Sequence, residues 1–128
     1  MISLMFAASL AGAHLTPEQG LWRTADGSAH VLLSSCGGNL CGTIRWSRDP
    51  AVRDLHNPNP AARGRPLVGT VVIQDVGRDG GRWSGGRLYV PRTGRSYPAR
   101  LRLESRDLLL VEGCRFGICR GERWTRVR

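Results

Sequence analysis

Four cysteines form two pairs of equal spacing and offer the best-defined chemistry in this chain. Cys36 and Cys41 are separated by four residues, and so are Cys114 and Cys119. Each pair brackets a short turn, which favours one disulfide across each of two hairpins. A zinc ion held by all four thiolates is the alternative, because zinc sites accept this spacing. We favour the disulfides, since the start of the chain predicts export to an oxidising compartment.

Residues that could catalyse a reaction are few and scattered. His30 and His56 lie in no nucleophile-elbow motif. The sequence contains neither a glycine-rich phosphate loop nor a His-x-x-x-His pair. Its acidic residues fall mostly in predicted turns, as Asp26, Asp79 and Asp107 do. We therefore predict a protein that is not an enzyme and that has no catalytic residue, cofactor or bound metal.

Aromatic side chains and a pair of loop arginines are better suited to holding a small ligand. We predict that four aromatic residues line a pocket: Trp22, Trp46, Trp83 and Tyr97. Arg63 and Arg65 could hold a carboxylate or phosphate at its mouth. In the alternative interpretation the aromatic side chains fill a solid core, while the two arginines serve the loop backbone or face water.

The charge of the chain is strongly positive. The formal net charge is +9, and arginine supplies all 19 basic residues. Such a domain suits anionic partners, although solubility alone also explains the charge. An outer face carrying Arg23, Arg45, Arg100 and Arg102 could contact anionic envelope lipid or polysaccharide. We do not expect nucleic acid as a partner, since such binding calls for aromatic residues interleaved with the basic face and predicted export argues against it.

The first 13 residues predict a secretory signal peptide. They carry no charge, residues 2–10 are mostly apolar, and Ala11-Gly12-Ala13 fits a cleavage site. The run is too short for a membrane anchor, which needs about 18 apolar residues. No basic residue precedes the run, as one usually does in a signal peptide, so the true start of translation could lie upstream. A buried N-terminal strand is the alternative, which the Gly, Ala and Ser residues of the run disfavour. We expect a periplasmic or secreted protein in which residues 14–128 form one domain.

Hydrophobic alternation predicts that the domain is built from strands. Residues 95–104 place Tyr97, Ala99, Leu101 and Leu103 on one face, the period of a half-buried strand. Similar patterns and turn signals predict eight strands, at 20–24, 29–35, 41–47, 67–76, 82–90, 95–104, 108–113 and 119–128. Short turns join nearly all of them, so we predict an all-β, eight-stranded, antiparallel up-and-down barrel. We expect a monomer.

Two irregularities interrupt this pattern. Residues 48–66 form a long loop whose Asp-Pro and Asn-Pro pairs predict one or two single helical turns. Trp83 and Leu88 have opposite parity, so a regular strand would leave one of them in solvent. A bulge at Gly85-Gly86 would turn both inward, and we favour it over an outward Trp83 packed on arginine stems.

Several segments resemble known families. Gly20-Leu21-Trp22 together with Arg126 resembles the lipocalin closure, in which an arginine packs over a tryptophan at the barrel floor. Four segments spread over the chain resemble domain of unknown function 2147: residues 41–46, 57–67, 83–89 and 124–127. This resemblance implies a small exported bacterial protein with a lipocalin-like barrel and supplies no catalytic residue.

Together these patterns predict non-enzymatic binding of a small amphiphilic or anionic ligand. The alternative is a cell-envelope interaction module that uses its cationic outer face. A ligand carrier needs an internal void of roughly 300 Å³ or more, whereas the interaction module needs none.

Overall fold

The eight predicted strands close into one antiparallel barrel in sequence order. The computed structural model describes residues 15–128, so the predicted signal segment, residues 1–13, lies outside the described residues. The strands are β1 (Gly20–Arg23), β2 (Ala29–Cys36), β3 (Asn39–Ser47), β4 (Val71–Asp79), β5 (Arg82–Val90), β6 (Arg95–Ser105), β7 (Leu108–Arg115) and β8 (Ile118–Arg126). Within the described range, no helix is long and apolar enough to cross a membrane. The predicted fold is confirmed.

The two ends of the barrel are built differently. Because successive strands alternate in direction, the β2–β3, β4–β5 and β6–β7 turns share one end with the C-terminus, which we call the closed end. The β1–β2, β5–β6 and β7–β8 turns share the other, which we call the open end, with residues 48–70. β4 begins at Val71 and not at Leu67, because residues 67–70 form a turn in which the Thr70 N–H donates to the Leu67 carbonyl.

Trp22 and Arg126 complete the closed end. β1 pairs with β8 at only two positions, Trp22 with Arg126 and Arg23 with Thr125. Trp22 is fully buried, and the Arg126 guanidinium lies 4.3 Å from the centre of its ring. The same guanidinium donates hydrogen bonds to three backbone carbonyls, those of Pro17, Gln19 and Arg106. This side chain of β8 therefore connects the segment before β1 and the β6–β7 turn to the floor of the barrel.

A bulge in β5 turns Trp83 and Leu88 to the same side. The pairing of β5 with β6 shifts register between Ser84 and Arg87. Trp83 is consequently buried, and Leu88 faces the interior. The bulge brings β5 so close to β4 that a Cβ on Gly86 would lie 2.1 Å from the Gln74 carbonyl oxygen. The predicted bulge is confirmed.

The cysteines form the two predicted disulfides. Cys36 is bonded to Cys41 at the closed end, and Cys114 is bonded to Cys119 at the open end. The cysteine sulfurs are therefore paired with one another, and the zinc alternative is not realised.

Replacing Gly86 tests the bulge. We expect Gly86→Ala to lower the free energy of unfolding by about 1–3 kcal/mol, because the methyl group forces β4 and β5 apart. Gly81→Ala is the matched control, since a Cβ there meets no atom within 4 Å. Urea unfolding measures both variants, and equal stability of the two would contradict the close approach.

Candidate functional site

The open end of the barrel holds a cavity of about 1010 Å³. Its wall is made largely of inward-facing apolar side chains from six strands: Ala29, Val31, Ile44, Val72, Leu88, Val111 and Trp124. Several of these residues are short, so the strands enclose space here that larger side chains fill at the closed end. The interior is therefore not a solid core throughout, and its open half can accept a ligand-sized molecule.

Charged residues at the mouth give it a positive bias. Four arginines line it: Arg53, Arg92, Arg115 and Arg120. Two carboxylates oppose them, those of Asp26 and Glu122. Asp26 accepts hydrogen bonds from the Ser28 N–H at 2.9 Å and from the Thr24 hydroxyl at 3.0 Å. These bonds, that of Ser28 above all, hold the pKa of Asp26 below its usual value.

The loop of residues 48–70 covers part of this mouth and is held in one conformation by its own residues. Arg53 and Pro66 form an antiparallel bridge. Asn59 caps a 3-10 turn at Pro60–Ala62, with its side chain accepting a hydrogen bond from the Ala61 N–H. This confirms the helical turn that the Asn-Pro sequence predicts. Val52, Leu55 and Leu67 of the loop line the cavity.

Asp54 ties the loop to the barrel wall. Its carboxylate is fully buried and accepts hydrogen bonds from the Tyr89 hydroxyl at 2.6 Å and from the Asn57 amide at 2.8 Å. Burial and the hydrogen bond to Asp54 raise the pKa of Tyr89 to about 12. Sequence reasoning did not identify this pair. The only local signal is an acidic residue placed between the apolar Val52 and Leu55.

Of the four aromatic residues predicted to line a pocket, only Tyr97 lines this cavity. Trp22 and Trp83 are buried in the core instead. Trp46 lies on the outer wall, 43% exposed, with its ring 4.4 Å from that of His30. An extra residue, Arg45, interrupts the pairing of β3 with β2 and turns Trp46 outward.

Arg63 and Arg65 serve the loop and do not line the cavity. The Arg63 side chain donates to the Asn57 carbonyl at 2.7 Å. The Arg65 guanidinium lies 3.8 Å from the Asp54 carboxylate. Of the arginines that line the mouth, Arg53 belongs to the same loop, whereas Arg92 lies in the β5–β6 turn and Arg115 and Arg120 lie on β7 and β8. Their positions followed from no sequence pattern.

Comparison with known proteins agrees with this architecture. A family model described as an uncharacterized protein conserved in bacteria (DUF2147) matches residues 20–126. Among solved structures, protein HP1028 from the human pathogen Helicobacter pylori, described as belonging to the lipocalin family, is similar with a TM-score of 0.74. It shares 22% identity over 86% of this chain and 82% of its own. A search of curated proteins found no match.

Removing the Tyr89 hydroxyl tests the attachment of the loop. We expect Tyr89→Phe to lower the free energy of unfolding by about 1–3 kcal/mol, because it leaves a buried carboxylate oxygen without its partner. Tyr97→Phe is the control, since it keeps the bond between Tyr89 and Asp54. Thermal or urea unfolding that shows no difference between the two variants would contradict this role.

The same contact predicts a loss of stability at alkaline pH. The pKa of Tyr89 is raised from 10.0 to about 12 in the folded state, so the folded protein retains a proton that the unfolded chain releases. The stabilisation is complete below pH 10 and is lost as pH rises towards about 12. Ultraviolet titration should show one tyrosine ionising near the upper value, and Tyr89→Phe should abolish that step.

Proposed function

This chain belongs to the DUF2147 family of uncharacterized bacterial proteins, and we propose that it binds a small amphiphile with an anionic head group. The observation that carries the proposal is the open-end cavity of about 1010 Å³, apolar along its wall and rich in arginine at its mouth. Ligand pockets in proteins have volumes of about 300–1,000 Å³ and combine an apolar lining with a few polar groups.

The cavity suits a ligand with two chemically different parts. An acyl or aromatic body fits against Val72, Leu88 and Val111, since transfer of apolar surface from water is favourable. A carboxylate or phosphate fits at the mouth, where Arg92 and Arg120 offer planar donors that match either group. Tyr97 adds an aromatic face on the same cavity.

Two acidic residues at the open end, Asp54 and Asp26, have structural roles, which supports binding without catalysis. Asp54 is covered by Tyr89 and Asn57, which occupy both of its carboxylate oxygens. Asp26 is engaged by Thr24 and Ser28 in its turn. Each carboxylate therefore has a structural role that accounts for its position.

The disulfides support a periplasmic or secreted location. Disulfides form and persist mainly in oxidising compartments, and both pairs here close local hairpins. Closure of the barrel supports a monomer, since each of the eight strands among residues 15–128 has a paired strand on both sides.

The envelope-interaction alternative is less well supported on the outer wall. Arg100 lies 3.3 Å from the Glu112 carboxylate, and Arg102 lies 3.7 Å from that of Glu104. These acidic neighbours offset the charge that the wall would present to an anionic surface. The open-end cavity is therefore better supported than the outer wall as the site of binding.

A fluorescent fatty-acid analogue tests the proposal. We expect dansylaminoundecanoic acid to bind one molecule per chain and its methyl ester to bind more weakly, because the ester lacks the charge that the mouth arginines recognise. Leu88→Trp should weaken binding about tenfold by filling the cavity. Leu32→Trp is the matched control, because Leu32 points away from the cavity between the inward Val31 and Leu33. Fluorescence titration measures all four cases.

Two outcomes would contradict the proposal. One is the absence of saturable binding of the acid to the wild-type protein. The other is equal affinity in the Leu88→Trp and Leu32→Trp variants, which would place the probe outside the barrel.

A further inference from the structure

The tip of the β7–β8 hairpin carries large apolar residues that lie outside the core, and the Arg115 guanidinium lies 5.2 Å from the centre of its Phe116 ring. Phe116 is 89% exposed and Ile118 is 61% exposed. We call these two residues the mouth tip, because both line the entrance of the open-end cavity. Phe116 has a φ of 52°, in the left-handed region that disfavours a bulky side chain. Neither core packing nor turn preference therefore explains a phenylalanine at this position.

The hairpin at the opposite end of the barrel shows what the fold alone requires. The β2–β3 hairpin has the same disulfide spacing and the same two-residue turn, but its turn is Gly37-Gly38, followed by Asn39. Both glycines there have positive φ, as that turn demands. The hairpins differ in where the disulfide lies, because Cys114 pairs directly with Cys119 whereas Cys36 pairs with Asn39. They share the two-residue turn, and of the two only the open-end hairpin presents large apolar side chains to solvent.

Arginines surround the mouth tip. Arg115 and Arg120 flank it on β7 and β8, and both are exposed. Arg95 shares a groove of about 540 Å³ with Phe116, between the diverging ends of β6 and β7. Glu122 and Asp26 are the acidic residues of the same mouth. Leu55, 64% exposed, extends the apolar surface onto the loop that covers the cavity.

We propose that the mouth tip docks this protein onto an anionic phospholipid bilayer, with the open end facing the membrane. Exposed apolar side chains enter the interface between head groups and acyl chains, while the surrounding arginines contact lipid phosphates. The charge complementarity selects a bilayer over an uncharged apolar partner. This docking is separate from cavity binding, and it uses the barrel rim and not the outer wall.

Vesicle flotation tests the docking. We expect wild-type protein to bind vesicles containing about 30% phosphatidylglycerol in phosphatidylcholine, to bind pure phosphatidylcholine poorly, and to dissociate in high salt. The double variant Phe116→Gly with Ile118→Asn converts the tip to the sequence of the closed-end hairpin. It should lose about tenfold or more in vesicle affinity, from the apolar area no longer transferred. Its thermal stability should be retained, since glycine suits the positive φ.

Three controls isolate the cause. Leu15→Ser removes an exposed apolar side chain from the segment before β1, near the closed end, and should leave vesicle binding unchanged. Arg115→Gln with Arg120→Gln should weaken binding more than Arg82→Gln with Arg106→Gln, which removes equal charge from the closed end. Leu88→Trp should still bind vesicles, which distinguishes docking from capture of a lipid in the cavity. All variants retain residues 1–14, so any contribution of that segment is constant.

Several results would overturn the proposal. Wild-type protein that binds no phosphatidylglycerol vesicles, or binds neutral vesicles equally well, would do so. So would full binding by the glycine-tipped variant, or an equal loss in Leu15→Ser. Loss of vesicle binding in Leu88→Trp would assign the lipid contact to the cavity and rule out docking through the mouth tip.

Discussion

Closure of the barrel depends on the contact between Arg126 and Trp22. β1 has only four residues and meets β8 at two residue pairs, so the backbone ladder at this seam is short. The Arg126 guanidinium adds three hydrogen bonds to backbone carbonyls and lies over the indole ring. Cation–π contacts of this kind are worth about 0.5–2 kcal/mol, and more when they are shielded from water. If this seam opened, the sheet would have two exposed edges.

Large side chains fill the closed end of the barrel and stabilise the fold, so the open end can hold a cavity. Large side chains such as Trp22, Trp83 and Leu101 pack into a solid core that stabilises the domain. At the open end the inward positions are held by smaller residues such as Ala29, Val72 and Gly113. Gly113 also lets the Tyr97 ring approach, since a Cβ there would lie 3.0 Å from the Tyr97 Cβ. The packing that stabilises the fold and the space for a ligand therefore lie at opposite ends of the barrel.

A buried carboxylate fixes the loop that covers the cavity. Burying Asp54 is costly unless its oxygens are paired, and Tyr89 and Asn57 supply those partners. Such a polar contact adds less to net stability than apolar packing would, but its geometry is specific. It holds the loop against β5, so these hydrogen bonds help to set the shape of the cavity mouth.

The sequence by itself determined the strands, their order and the two disulfides, because alternation, turn residues and local cysteine spacing act over a few residues. It also indicated the β5 bulge, since the parity of Trp83 and Leu88 conflicts within one strand. The outward position of Trp46 came from tertiary structure, because the extra residue at Arg45 is defined only by pairing with β2. The same holds for the burial of Asp54 against Tyr89, residues 35 positions apart. Cavity volume and the arginines at its mouth depend on which strand ends meet, and this is decided only when the barrel closes.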